Sequence, residues 1–174
     1  MPGQLINIEI DDSEFKNQLS FLQKRMRNLK PAFKNIGEYM AKERERWFRQ
    51  ERDPEGRPWQ KLKVRTYFSL FKKKRRYTKK GKLTKGFLRF LSGRKILTKD
   101  HHLRRTVYKA EADKVIISPD MQSQDYAAIH QFGGRAGKNR TAKIPARPHL
   151  GVSHENRTEI IEIIREHLLK GMKS

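Results

Sequence analysis

The most regular hydrophobic pattern in the chain lies in its first quarter, where apolar side chains recur in steps of four and three. This spacing predicts a long amphipathic helix with one buried face. The members of the pattern are Phe15, Leu19, Leu22, Met26, Leu29, Phe33, Ile36, Met40 and Trp47. Glu43 or Arg44 interrupts it before Trp47. Pro31 lies inside the pattern and predicts either a kink or a second helix with proline in its first turn.

The pattern leaves two partners open for this helix face. The face can pack on the protein's own sheet, or it can form a coiled coil with another subunit. The aromatic residues along the seam favour the sheet, because they suit a pleated surface better than knobs-into-holes packing.

Shorter patterns predict strands and two further helices. Residues 5–10 alternate between apolar and polar positions and predict a half-buried strand, and residues 104–110 and 113–118 predict an antiparallel hairpin. A short helix over residues 125–132 is expected to end at a pair of glycines. Ser153 is a suitable N-cap for a final helix. The predicted buried face of that helix consists of Ile160, Ile161, Ile164 and Leu168, with Leu169 beside them.

Together these elements predict one α+β domain over residues 1–174. A long N-terminal amphipathic helix, kinked or split near Pro31, packs on a small antiparallel sheet, and a C-terminal helix completes the fold. Residues 53–59 contain two prolines and a glycine, which stop the first helix. Residues 60–95 then lack periodic order, and we expect a basic projecting loop or an irregular hairpin there.

Charge changes the interpretation of that central part. The chain has 41 Lys and Arg against 19 Asp and Glu, a net charge of +22. Residues 57–110, named here the basic segment, hold 20 of the cations and only one acid (+19), so the remaining 21 cations and 18 acids give +3. A nearly neutral scaffold therefore carries one strongly cationic segment.

A polyanionic partner is one explanation of the basic segment. Lysines and arginines with interleaved aromatic residues suit a nucleic acid, through phosphate neutralisation and base stacking. Docking on an acidic protein and a merely solvated loop are the alternatives. The predicted contacts with nucleic acid or another polyanion are Lys72, Lys73, Lys74, Arg75, Arg76, Lys79, Lys80, Lys82 and Lys85.

The sequence offers no catalytic or metal-binding pattern. It lacks cysteine, and its six histidines are not at metal-ligand spacing with carboxylates. We therefore expect no enzyme, no cofactor and no metal. The sequence has no apolar run long enough to span a membrane and no features of a signal peptide, so we expect no membrane partner and synthesis in a bacterial cytoplasm.

The order of motifs behind Trp59 resembles the phage virion morphogenesis family, which includes the tail-completion proteins of contractile-tailed phages such as Mu. After the amphipathic helix come the turn at residues 53–59 and Thr66, then the hairpin region 96–118. Residues 126–134 read YAAIHQFGG, and residues 144–151 read IPARPHLG ahead of the terminal helix. The resemblance covers nearly the whole chain.

The resemblance implies a structural neck or tail protein of the virion, without catalysis, that completes the tail and joins it to the filled head. By analogy it implies a ring, naturally a hexamer, beside the tail tube or terminator and the head-completion or connector proteins. Genomic DNA in the lumen, or an acidic neighbour, would then face the basic segment. The residues assigned to the subunit fold or the ring interface are Trp59, Tyr126, His130, Phe132, Gly133, Gly134, Pro145, Arg147 and Pro148. The competing hypothesis is a stand-alone nucleic-acid-binding protein without sequence specificity.

Overall fold

The N-terminal seam forms two helices rather than one. The computed structural model describes residues 11–72, 76–98 and 101–172, so the strand predicted at residues 5–10 lies outside the described part. Helix α1 spans Ser13–Met26, and α2 spans Lys30–Gln50 with Pro31 in its first turn. The proline ring fits there because the first helical N–H groups have no intrahelical acceptor.

Helix α2 packs on the protein's own hairpin and on the last helix. Strands β1 (Thr106–Ala110) and β2 (Val115–Pro119) pair antiparallel, and α6 spans His154–Leu169. Ile36, Met40 and Trp47 contact apolar residues of β2 and α6. Gly37 lets β1 approach closely, because a Cβ atom there would lie 2.3 Å from a ring carbon of Tyr108. The partner of the α2 face is therefore intramolecular.

A second hydrophobic cluster lies at the C-terminal end of α2. Phe48 is fully buried and meets the ring of Trp59 edge-on, with 5.1 Å between the ring centroids. Ile96, Leu103 and Ala127 complete the buried part of the cluster. The Trp59 N–H donates to the Glu51 carbonyl at 2.8 Å, which closes the predicted turn after the helix. This cluster joins α2 to parts of the chain that are 50 to 80 residues further on.

Two short helices occupy the region for which the sequence predicted a loop or an irregular hairpin. They are α3 (Val64–Leu70) and α4 (Lys85–Gly93). An isolated antiparallel bridge between Tyr77 and Leu83 forms a narrow turn between them. The helices are too short for a readable hydrophobic period, and tertiary contacts stabilise helices of this length. The sequence analysis missed them for this reason.

The C-terminal third follows the predicted order. Helix α5 (Gln124–Phe132) ends at Gly133, whose φ of +76° suits glycine, and a small hairpin of β3 (Gly134–Ala136) and β4 (Ala142–Ile144) follows. Ser153 and Asn156 form a capping box at the start of α6. Ile161 and Leu169 are exposed, whereas Ile163 packs in the core, so the predicted buried face of α6 was wrong at those positions. The α+β class is confirmed.

Candidate functional site

A buried arginine and a buried histidine connect the elements around which the fold is built. Arg44, which interrupts the apolar seam of α2, is only 1% exposed, and His149 is fully buried. The guanidinium donates to the carbonyls of His149 at 2.9 Å and of Leu103 at 2.7 Å, and to the Thr106 hydroxyl at 2.7 Å. One side chain thus ties α2 to the start of β1 and to the loop before α6. We name this pair the arginine–histidine centre.

The arginine–histidine centre holds a positive charge that backbone and side-chain acceptors stabilise. Burial lowers the pKa of Arg44 to about 10, which leaves the guanidinium charged at neutral pH. The His149 ring lies between Arg44 Nη2 at 3.2 Å and the Ala127 carbonyl at 3.2 Å. Arginine is a donor only, so Nδ1 accepts and Nε2–H donates, which fixes the neutral tautomer. Burial, together with the Arg44 charge, lowers the pKa of His149 to about 4.

The same loop is attached to the hydrophobic cluster around Trp59 and to the start of the basic segment. Trp59 Nε1–H donates to the Pro148 carbonyl at 2.8 Å. Arg147, 4% exposed, donates from Nε to the Gln60 carbonyl at 2.8 Å, and its backbone N–H donates to the His130 carbonyl at 2.7 Å. Residues near positions 60, 130 and 148, which are distant in the sequence, therefore form one rigid unit.

The side chain of Gln131 joins the two late sequence motifs directly. Its Oε1 accepts the backbone N–H groups of His149 at 2.9 Å and Leu150 at 3.0 Å, while its Nε2 donates to the Leu150 carbonyl at 2.8 Å. A single amide satisfies three backbone groups of a loop that could not otherwise be buried. Sequence analysis quoted Gln131 within the motif but assigned it no role.

This unit lies within a region of the chain that matches a known family. A profile of the phage virion morphogenesis family matches residues 10–169 of the chain. The chain belongs to that family. Its role therefore lies in the assembly of phage virions.

A relative from Haemophilus influenzae, described as Mu-like prophage FluMu G protein 2, is 47% identical over 45 residues. That match covers 26% of this chain and 33% of the relative. The chain thus matches about a third of the length of this relative. No solved structure matches the chain.

In this family member, the residues assigned to the fold or the ring interface divide into two groups. Trp59 and Arg147 are buried, and Tyr126, His130, Gly133, Pro145 and Pro148 are partly buried. Phe132 is 79% exposed and Gly134 is also exposed. The side chains of Trp59 and Arg147 are buried within the subunit, whereas Tyr126 and His130 also line a pocket between the basic segment and α5. The phenyl ring of Phe132 is free to contact another molecule.

The aromatic residues of the basic segment pack against one another. Phe87 is fully buried and contacts Phe68 and Phe71, with 5.0 Å and 5.1 Å between ring centroids, and Phe90 packs on Phe71 at 5.1 Å. We name these four residues the aromatic cluster. Arg76 lies over the Phe68 ring, 5.6 Å from its centroid. Rings engaged in this way do not present free faces to nucleobases, so base stacking by these four residues is not part of the site.

The predicted polyanion contacts are mostly on the surface. Lys72, Lys79, Lys80, Lys82 and Lys85 are exposed. Arg76 is partly buried and donates from Nε and Nη2 to the Phe71 carbonyl at 3.0 Å and 2.8 Å, which is a structural role. The remaining three predicted contacts, Lys73, Lys74 and Arg75, lie outside the described residues.

A cationic cleft joins the basic segment to the β3–β4 hairpin. Lys61, Lys63, Lys143 and Arg147 line a depression of about 270 Å³, and none of the described residues in its lining is acidic. Sequence analysis missed Lys143 because it counted the chain outside residues 57–110 as one neutral scaffold. A finer count would have found it, since residues 126–154 hold five cations and no acid. We name this depression the cationic cleft.

The described ranges contain no group of three or more His, Asp or Glu side chains placed to hold a metal ion. His102 lies 3.6 Å from Asp120, and His101 has its backbone in the left-handed region at φ +61°. Among the helices in these ranges, none is both long and apolar enough to cross a membrane.

Proposed function

We propose that this protein is a non-enzymatic component of the virion neck or tail end that completes the tail and joins it to the filled head. Family membership over residues 10–169 carries the proposal, because it covers both late motifs and the unit they form around Arg44 and Trp59. A subunit whose late loops are buried and hydrogen-bonded to the rest of the fold suits a permanent structural role. In this proposal the protein acts in a ring, with a hexamer expected by analogy, beside the tail tube or terminator and the head-completion or connector proteins.

The cationic surface would face DNA in the lumen of that ring, or an acidic neighbour. The exposed lysines of the basic segment and the cationic cleft form a surface without a carboxylate in the cleft lining. Lysine ammonium groups neutralise phosphates without reading bases, so such contacts are independent of DNA sequence and weaken as salt rises. A genome passing through a ring requires contacts of this kind, because every sequence must pass.

A stand-alone nucleic-acid-binding protein is the second candidate, and the charge segregation favours it. Proteins that bind single strands without sequence preference usually combine a basic groove with stacking aromatic residues. In this chain the four rings of the aromatic cluster pack on one another. The second candidate is left with phosphate contacts and exposed rings such as that of Tyr77, and it does not account for the family match over residues 10–169.

Phage particles made without this protein provide the test of the first proposal. Filled heads and finished tails that remain separate, and that join when purified protein is added, are the expected result. Intact infectious particles without the protein would refute the completion role. Tight DNA binding by a monomer, without any effect of the protein on joining, would favour the second candidate.

A matched pair of variants tests the DNA-facing surface. The triple substitution K61Q/K63Q/K143Q removes three positive charges from the cationic cleft. K24Q/K34Q/K42Q removes the same charge from exposed positions on α1 and α2. If the cleft contacts phosphates, the slope of log affinity for duplex DNA against log salt falls by about 2 to 3 in the cleft variant only. Equal slopes in the two variants would show that only total charge matters.

A further inference from the structure

A pocket lined by leucines lies between the basic segment and helix α5. Its volume is about 290 Å³. The apolar wall is formed by Leu62, Leu70, Leu97 and Leu103. This volume exceeds the space that one phenylalanine side chain needs, and the wall is continuous with the hydrophobic cluster around Trp59. We name it the leucine pocket.

The leucine pocket is cationic as well as apolar. Arg94 and Lys95 are part of its lining, and among the described residues that line it none carries a carboxylate. Arg94 Nε and Nδ1 of His130, another lining residue, are both buried and have no hydrogen-bond partner within the described part of the chain. Buried polar atoms are nearly always hydrogen-bonded. The pocket is therefore suited to an apolar side chain that carries a carboxylate beside it.

The first turn of α1 has the complementary chemistry. Asp11, Asp12 and Glu14 precede Phe15. Asp12 pairs with Lys16 at 2.9 Å, so three carboxylates against one lysine give residues 11–16 a net charge of −2. Phe15 is 62% exposed, and Leu19, one turn further on, is 42% exposed. Leu19 lies four residues after Phe15, on the same face of α1, and Glu14 directly precedes Phe15, so apolar and acidic groups lie together at the start of α1. We name residues 11–15 the acidic tip.

We propose that the acidic tip of one copy binds the leucine pocket of a second copy, with Phe15 inserted between the leucines and the tip carboxylates facing Arg94 and Lys95. This contact rests on the proposed ring and supplies its geometry. The two surfaces differ, so the contact is head-to-tail, and repetition of a head-to-tail contact gives a closed ring or a filament. The helix face that is left exposed on α1 and the unpaired buried Nε of Arg94 in the pocket then have one common explanation.

Complementation between two variants tests the head-to-tail geometry. F15S removes the inserted ring, whereas L70E/K95E places two carboxylates at the pocket, in both cases on exposed side chains. M121S is the control, because Met121 is 77% exposed and lies outside both surfaces. Sedimentation velocity of the full chain at tens of micromolar protein is the measurement. Wild type and M121S should associate, and each of the two interface variants should lose at least tenfold in affinity.

A mixture of the two interface variants gives the decisive result. Each variant keeps one intact surface, so an equimolar mixture should form a dimer that does not grow further. A monomeric wild type at all concentrations, or unchanged association of F15S, would overturn the proposal. Mixed variants that stay monomeric would overturn it as well, and self-association of L70E/K95E alone would favour a symmetric contact between two α1 helices.

A failure of this contact can be distinguished from a failure of the proposed function. If the contact fails but heads and tails still require the protein in order to join, only the ring geometry proposed here is refuted. If the contact holds but virions form normally without the protein, the completion role is refuted and the association stands.

Discussion

Acidification should destabilise the fold through His149. The ring is buried as a neutral acceptor beside the Arg44 guanidinium, and its pKa is lowered to about 4 from an ordinary value of 6.5. In the unfolded chain the same ring binds a proton near pH 6.5. Stability from the neutral ring is therefore present above that pH and is lost as the pH falls toward 4. The difference between the folded and unfolded pKa values implies that the unfolding free energy falls by about 2 kcal/mol between about pH 7.5 and about pH 5.

Urea unfolding of wild type and H149Q at these two pH values measures the effect. Glutamine offers an oxygen acceptor to Arg44 and an N–H donor to the Ala127 carbonyl, but it does not titrate. We expect H149Q to be less stable than wild type at about pH 7.5. On acidification its unfolding free energy should fall by about 2 kcal/mol less than that of wild type. His130 also has a lowered pKa, caused by burial and by the charge of Arg147, and it remains in both proteins. The difference between the two proteins therefore isolates His149.

The result that would refute this reasoning is an equal loss of unfolding free energy in the two proteins. The centre would then either accommodate a charged imidazole or open to water before unfolding. The slope of unfolding free energy against urea concentration measures the surface exposed on unfolding. A slope that changes with pH in wild type alone would indicate such an opening.

Two other substitutions test separate parts of the fold. W59F keeps an aromatic ring against Phe48 but removes the donor to the Pro148 carbonyl, so we expect a loss of about 1 to 2 kcal/mol of unfolding free energy in a urea titration. W59L is the control, since it also removes the edge-on ring contact and should cost more. F87A removes the buried centre of the aromatic cluster. Hydrogen exchange should then rise in α3 and α4, while the amides of α2 keep their protection. Equal stability of W59F and wild type would contradict the first prediction, and a uniform rise in exchange along the chain would contradict the second.

Local patterns in the sequence were sufficient to predict most elements. The 3.6-residue period predicted the helical seam, and Pro31, Gly133 and Ser153 marked helix ends because each residue type has a local backbone or capping preference. The hairpin at residues 104–118 was predicted from local strand patterns in the same way. These signals depend only on neighbours within about one turn or one strand pair, so they can be read without tertiary contacts.

The basic segment shows where local patterns stop being sufficient. Its interleaved aromatic residues have the composition of a stacking site, yet Phe68, Phe71, Phe87 and Phe90 pack on one another. Composition gives the number of rings but not their partners. Because α3 and α4 are short, only the contact between them determines which faces are buried.

The sequence by itself determined the α+β class, the order of most elements, the segregation of charge and the family resemblance, because each depends on spacing or composition along the chain. The tertiary structure alone decided the role of Arg44, which in the sequence merely interrupts an apolar seam. Its charge is buried because carbonyls near residue 104 and at His149 converge on it. The cationic cleft likewise combines lysines 80 residues apart. Both features depend on distances in space and not on spacing along the chain. A buried charge needs acceptors close to it, and distant charges act together only when the fold brings them to one surface.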